Sequence, residues 1–190
     1  TNLYKCFLPQ AWQFCKANGV SAFIHQEGVY DDPKGGEFRR ILYQYLKAHF
    51  QFINEFKLFS EVHNLTTFSI NIYQKLTAPN PPIIRFVHIA NLFSPITIEE
   101  SFNSADSDKV PGIKNNEGKW DTTGHPKRII SVDRDTLALF AQLYDESGTP
   151  PEAARLSVIY TQNLVSVLEK FAQQTQHLGD LQGEYYATVM

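Results

Sequence analysis

The chemistry this chain could carry is concentrated where cations meet glycine. Lys34-Gly35-Gly36-Glu37-Phe38-Arg39-Arg40 sets three cations around a glycine pair at the expected start of a helix. Free N–H groups at a helix N-terminus, with glycines that allow close approach, suit a phosphate. Contact with a nucleic-acid backbone is therefore expected of Lys34, Arg39 and Arg40, and Lys34 is the best placed because it lies in the loop. The plainer alternative is a solvated helix face. Other residue types offer less. The histidines at 25, 49, 63, 88, 125 and 177 show no i,i+4 pair and no cysteine partner, so a metal site is unsupported. Cys6 and Cys15 fit neither a metal-ligand spacing nor a disulfide framework. No Phe-x-Gly-x-Gly loop and no nucleophile elbow occurs. No residue here is assigned a catalytic, cofactor-binding or metal role.

The bulk properties narrow the class. The chain has 190 residues, 43% of them hydrophobic, enough for a core in one domain or a domain with an appendage. A net charge of −3 gives no overall basic field, so a nucleic-acid surface must be a local patch. No apolar run approaches the roughly 18 residues of a membrane span, no signal-peptide pattern occurs, and a reduced cytosolic setting is expected. The sequence opens at Thr1 inside a helical pattern and closes on Tyr185-Tyr186-Ala187-Thr188-Val189-Met190, which reads as a fragment of a longer polypeptide.

The periodicities place these residues. Leu3, Phe7, Ala11, Phe14 and Cys15 fall at helical spacing, with Pro9 expected to kink or break the helix. Val20 to His25 reads as a short strand covered on both faces. Asp31 to Gly36 is a turn and helix start, and Phe38, Ile41, Leu42, Tyr45 and His49 form one helical stripe with Arg39, Arg40 and Lys47 off it. Phe50 to Phe59 reads as strand-like. Phe68, Ile70 and Ile72 alternate with Ser69, Asn71 and Tyr73, a period-two strand expected to pair antiparallel with the preceding run. Ala78-Pro79-Asn80-Pro81-Pro82 cannot sit in a regular element, and residues 99–127 read as a long exposed loop. A short strand over Arg128 to Val132, a helix over Asp135 to Tyr144 with helix-start charges at Asp133 and Asp135, a capped helix start at Thr149-Pro150-Pro151-Glu152 and a final helix around Leu164 to Thr175 complete the pattern.

Residues 1–75 resemble the part of an N6-adenine DNA methyltransferase domain that follows its Asn-Pro-Pro-Tyr motif. The resemblance is carried by the helix Asn2-Leu3-Tyr4-Lys5-Cys6-Phe7-Leu8-Pro9-Gln10-Ala11, the segment Gly19-Val20-Ser21-Ala22-Phe23-Ile24-His25, the Arg-containing helix from Gly36 to Leu42, and a closing hairpin from Phe50 to Tyr73. The family often has Pro where His25 stands. The strings Glu27-Gly28-Val29-Tyr30-Asp31-Asp32-Pro33-Lys34-Gly35-Gly36 and Phe68-Ser69-Ile70-Asn71-Ile72-Tyr73 are similar to large adenine-specific enzymes of bacterial restriction and phage-defence systems. Ala154-Arg155-Leu156 and Val165 to Phe171 are also similar to those long proteins.

The resemblance implies a partial Rossmann-like α/β sheet over 1–76, the second half of such a domain with its antiparallel hairpin, then a linker or long loop over 77–127 and a mainly helical extension over 128–190. It implies S-adenosylmethionine as cofactor of the full-length protein, held outside this chain, and double-stranded DNA and the missing N-terminal half as partners, in a bacterial cytoplasm. Self-association of the fragment is expected through its unpaired sheet edge. In the family, an aromatic in the loop before the last strand stacks on the extruded adenine, because the target atom is unreachable inside the duplex. The matching position is His63, with Phe59 as second candidate; a polar hairpin residue and a core residue are the respective alternatives. Asn80-Pro81-Pro82 resembles the family's catalytic quartet, but Ile83 replaces the aromatic and the site follows the hairpin, so a linker is the simpler reading. The competing functional reading is a non-catalytic module that binds DNA or a partner.

Overall fold

The computed structural model describes residues 2–75, 83–107, 109–176 and 183. Asn80-Pro81-Pro82, His177 and the segment 185–190 lie outside them. Five strands form one mixed sheet: β1 (Val20–Gln26), β2 (Leu46–Ile53), β3 (Thr67–Gln74), β4 (Arg85–Leu92) and β5 (Ile130–Asp133), in spatial order β1-β3-β2-β4-β5. Five α-helices accompany them: α1 (Tyr4–Phe14), α2 (Gly36–Tyr45), α3 (Ile96–Asn103), α4 (Arg134–Tyr144) and α5 (Gln162–Ala172). The class is α/β.

The expected antiparallel pair forms, but its first strand is Leu46–Ile53 rather than Phe50 to Phe59, and residues 54–59 turn away into the loop that follows. β2 and β3 run antiparallel from Ile53 opposite Thr67 to Leu46 opposite Tyr73, with one irregularity near Ala48. β3 also pairs antiparallel with β1, from Gln26 opposite Phe68 to Val20 opposite Gln74. It is thus wedged between two strands that point the same way. β4 adds parallel to β2, and β5 antiparallel to β4.

The two faces of the sheet differ in chemistry, because strand side chains alternate. One face carries Phe23, His25, Ser69, Asn71, Tyr73, His49, Gln51, Phe86 and His88, and α1, α2 and α4 cover it. Trp12 of α1 stacks on Tyr45 at 4.7 Å, Tyr43 stacks on Phe86 at 5.5 Å, and Leu137 and Phe140 of α4 close the far end. The other face is apolar: Ala48, Phe50, Phe52, Phe68, Ile89 and Leu92 cluster there, with Ile98 of α3 against them. That cover stops short of β1, where Val20 is 62% and Ile24 58% exposed and Ala22 is exposed with them.

Several expectations change. Val20 to His25 is a strand, but an edge strand with one open face, since no described helix reaches that side. α1 runs unbroken through Pro9. It buries Leu8 and Trp12, whereas the stripe expected inward, Leu3, Phe7 and Phe14, is exposed. His49 leaves the helical stripe because α2 ends at Tyr45. The stretch 77–127 contains β4 and α3 rather than only linker and loop, and β5 joins the part after residue 127 to the same sheet. Thr149 to Glu152 starts only a single 3-10 turn, Pro151–Ala153. Among the described residues, no helix is long and apolar enough to cross a membrane.

The segment before β5 is tied down over α3. Thr97 donates to the Thr122 carbonyl at 2.6 Å, Glu100 accepts from the Gly124 N–H at 2.8 Å, and the Ser101 hydroxyl accepts from the His125 N–H at 3.2 Å. A Cβ at Gly124 would collide with Glu100 Cβ and the backbone of Ser101. Gly124→Ala is therefore expected to lift this segment off α3 and to lower stability by roughly 1–3 kcal/mol, read as a lower urea midpoint with faster amide exchange at Gly124 and His125.

Candidate functional site

Because β1, β2 and β4 point the same way, the loops that follow them leave from one end of the sheet. Ligands of open α/β sheets bind outside the carboxyl ends of such strands. Three loops leave from that end: residues 27–35 after β1, 54–66 after β2, and the stretch after β4 that begins at Phe93. Phe56 lies 6.0 Å from Phe93, and Phe93 lies 4.7 Å from Trp120, so the second and third loops touch.

The 54–66 loop holds both stacking candidates. His63 is exposed, and its Nδ1 accepts the Leu65 N–H at 3.2 Å. Phe59 is 42% exposed and packs edge-on against Phe68 at 5.0 Å, which in turn stacks on Phe52. Phe59 is thus neither core nor free: its edge is anchored while much of its surface faces solvent. One buried side chain, Asn54, reaches the backbone of both candidates.

The 27–35 loop separates the three cations. Lys34 is exposed, and the Asp32 side chain that receives its backbone N–H at 2.9 Å caps the 3-10 turn Pro33–Gly35. Asp32 is also paired with Lys5 at 3.0 Å. Arg40 is part-exposed and lies 3.6 Å from Glu37. Lys34 and Arg40 line one side of a cavity of about 680 Å³ whose other side carries Asp145, Glu146 and Arg155. Arg39 differs: it is buried, donates from Nε to the Ala153 carbonyl at 3.0 Å, and donates from Nη1 to the Asp32 carbonyl at 2.6 Å and the Val29 carbonyl at 3.4 Å. The expectation that Arg39 contacts DNA phosphate is corrected. Its fork is spent inside the protein, because residue 39 shares a helical face with Leu42 and Tyr43.

A polar network outside the site candidates singled out above is buried on the helix-covered face of the sheet. The Glu27 carboxylate, buried at the end of β1, meets His49 Nε2 at 3.2 Å and Gln51 Nε2 at 3.3 Å. His49 Nδ1 lies 2.8 Å from His88 Nδ1, and the Tyr30 ring stands edge-on to His49 at 4.3 Å. Beside them Tyr30 donates to Asn71 Oδ1 at 2.5 Å, Asn71 donates to Ser69, and Tyr73 lies 3.0 Å from His25 Nε2. His88 Nε2 has no hydrogen-bond partner among the described residues. Burial opposes ionisation of Glu27, yet the His49 imidazole beside it holds its carboxyl below the usual range. Burial, aided by His49, pushes His88 down to about 3. Burial also lowers His25. The signal that could have located this network is three histidines set in apolar strand runs, where a side chain facing the core must find partners.

Among the described residues, no group of three or more His, Cys, Asp or Glu is arranged to hold a metal. For S-adenosylmethionine, the glycine turn that follows β1 closes on its own side chain. The space a Cβ would take at Gly35 holds Arg39 Nη1 at 2.8 Å. That turn does not build a cradle for the cofactor. Comparison with protein-family models, with curated proteins and with solved structures found no match.

Two measurements probe the site. A depressed His88 contributes stability that is full above the ordinary value of 6.5 and is lost as pH falls toward about 3. His25 and Glu27, also depressed, lose theirs in the same sense on acidification. Stability is therefore expected to fall by roughly 2 kcal/mol between pH 6.5 and pH 4.5, the ordinary values of histidine and glutamate here. The slope should be shallower in His88→Gln, and a pH-independent urea midpoint would contradict the assignment. Separately, Arg39→Met strands three carbonyls and should cost about 2–3 kcal/mol, whereas Arg40→Ala should stay within about 0.5 kcal/mol; equal midpoint shifts would refute the distinction.

Proposed function

We propose that this chain is the second half of the catalytic domain of an adenine-N6 DNA methyltransferase of the restriction or phage-defence type. The whole enzyme transfers a methyl group from S-adenosylmethionine to the exocyclic amine of an extruded adenine, in a bacterial cytoplasm. The observation that carries the reading is the ordered loop between β2 and β3, which presents Phe59 and His63 at the end of the sheet where β1, β2 and β4 finish. The order of elements supports it: helix α1, strand β1, a Lys34-bearing loop, the Arg-containing helix α2, then an antiparallel hairpin. That is the order in which the sequence resemblance places the parts of a Rossmann-like sheet's second half.

On this reading Phe59 offers a π face to the flipped base, with the His63 imidazole beside it on the same loop. Lys34 and Arg40 neutralise backbone phosphate, while Arg39 acts only inside the fold. The cofactor, when bound to the other half, supplies the methyl group; no residue described here holds it. The open edge of β1, the exposed Val20, Ala22 and Ile24 of its uncovered face, and the outward Phe7 and Phe14 of α1 make a surface for that other half. The same surface favours the partner-docking form of the second reading, a non-catalytic module that binds DNA or a partner.

Two assays test the methyltransferase reading. The isolated chain with labelled S-adenosylmethionine and adenine-containing duplex should show no methyl transfer; robust turnover would refute the half-domain assignment. Anisotropy with a duplex carrying an unpaired adenine should show binding that weakens with salt at a slope of about −2, from two phosphate contacts, and that falls in Phe59→Ala/His63→Ala. Absence of DNA binding at low salt, with self-association in sedimentation, would leave the docking module.

A further inference from the structure

The loop between β2 and β3 displays Phe56, Leu58, Phe59 and Leu65, each more than two-fifths exposed. A surface loop with so much wetted apolar area gains by collapsing onto the protein. One buried side chain ties three of its residues to a single point, beside the Asn64–Glu55 bond and the loop's own backbone bonds. Asn54 is fully buried, and its Nδ2 donates to the Phe59 and Val62 carbonyls, both at 2.9 Å, and to the His63 carbonyl at 3.4 Å. Its Oδ1 accepts the Phe59 N–H at 2.9 Å. Its backbone N–H reaches the Thr66 carbonyl at 3.1 Å, and its carbonyl accepts from Lys57 at 2.9 Å. Lys57 sits at φ 53°, a left-handed conformation that a lysine adopts only when its surroundings demand it.

A primary carboxamide has two donors and an acceptor with two lone pairs. Here the loop's own backbone occupies both sides of that group. The same atoms tie residues 59, 62 and 63 to one buried point, so Phe59 and His63 cannot drift independently. Serine or alanine cannot bridge these positions, and aspartate has no N–H to give.

We infer that Asn54 is the positioning residue for the target base, fixing the loop so that Phe59 and His63 meet an unstacked purine without an ordering cost at binding. The inference rests on the base-stacking reading above. Its ligand class is a purine base extruded from a duplex or lying in a single strand. Pre-organisation of this kind raises affinity by removing the entropy of ordering the loop and its side chains.

The test uses a single-stranded oligonucleotide with one 2-aminopurine, whose fluorescence reports stacking. Wild type should change the fluorescence on binding, and Phe59→Ala should abolish the change. Asn54→Ala should weaken the fluorescence-detected affinity about tenfold while far-UV circular dichroism keeps the α/β signature. No fluorescence change with wild type overturns the base-stacking reading and this inference with it. A change in wild type that Asn54→Ala retains at equal affinity per folded molecule overturns the role of Asn54 alone, even if its melting temperature drops. Should Asn54→Ala not fold, hydrogen exchange on wild type decides: a Phe59 amide protected in the free protein supports the pin, and one that exchanges like an open loop amide overturns it.

Discussion

A guanidinium removed from water, with no carboxylate in contact among the described residues, must find carbonyl oxygens, and Arg39 finds three. Burial lowers its affinity for its proton, yet its acceptors come from both sides of the molecule. The Val29 and Asp32 carbonyls belong to the loop after β1, and the Ala153 carbonyl lies 114 residues further along the chain. Tyr43 adds a bond to the Ala154 carbonyl, and the Leu156 N–H returns one to Tyr30. One helix turn of α2 thereby fixes the loop that carries Lys34, the seat of α2 on the sheet, and the approach of the C-terminal segment. What reads in sequence as two parts is one packed body through these contacts and through β5.

A second constraint acts within the sheet. Asn71, Ser69, His49, Gln51 and His88 occupy successive rungs of three neighbouring strands on the helix-covered face. A slip of one residue in any strand would send its polar groups to the opposite, apolar face and strand Glu27 without partners. The buried network costs stability on its own account, but it leaves one register in which every carboxylate oxygen and most ring nitrogens are met. Hydrophobic burial supplies the driving force for the sheet, and these polar rungs supply its alignment.

This division also explains what could be read in advance. The hairpin was legible because Phe68, Ile70 and Ile72 alternate cleanly with Ser69, Asn71 and Tyr73, and α2 because glycines and a capping aspartate precede an amphipathic run. β4 was not, since Phe86, His88 and Ala90 face one packed layer and Val87 and Ile89 the other; a strand filled on both sides loses its period. α1 misled because it is apolar nearly all round, so spacing alone could not choose between the Leu8 and Trp12 face and the Leu3, Phe7 and Phe14 face. Of the candidate site, the loop with Phe59 and His63 and the exposed Lys34 were visible. The inward turn of Arg39 and the role of Asn54 were not, because the acceptors of Arg39 lie partly on a distant segment and those of Asn54 are backbone atoms of a loop whose path no local pattern encodes.

The position of β3 has a consequence for the order in which the chain can fold. β1 and β2 point the same way, and neither has the other as a neighbour; β3 joins them, and it is the only described partner of β1. The β2–β3 contacts begin between Ile53 and Thr67, a short closure, whereas those of β1 span from 42 residues, Gln26 to Phe68, to 54 residues, Val20 to Gln74. Closing the longer loops carries the larger entropic barrier. During synthesis β1 emerges first and stays unbonded until the whole hairpin has left the ribosome, so the oldest strand of the sheet waits while β2 and the loop after it are made before it meets its only described partner.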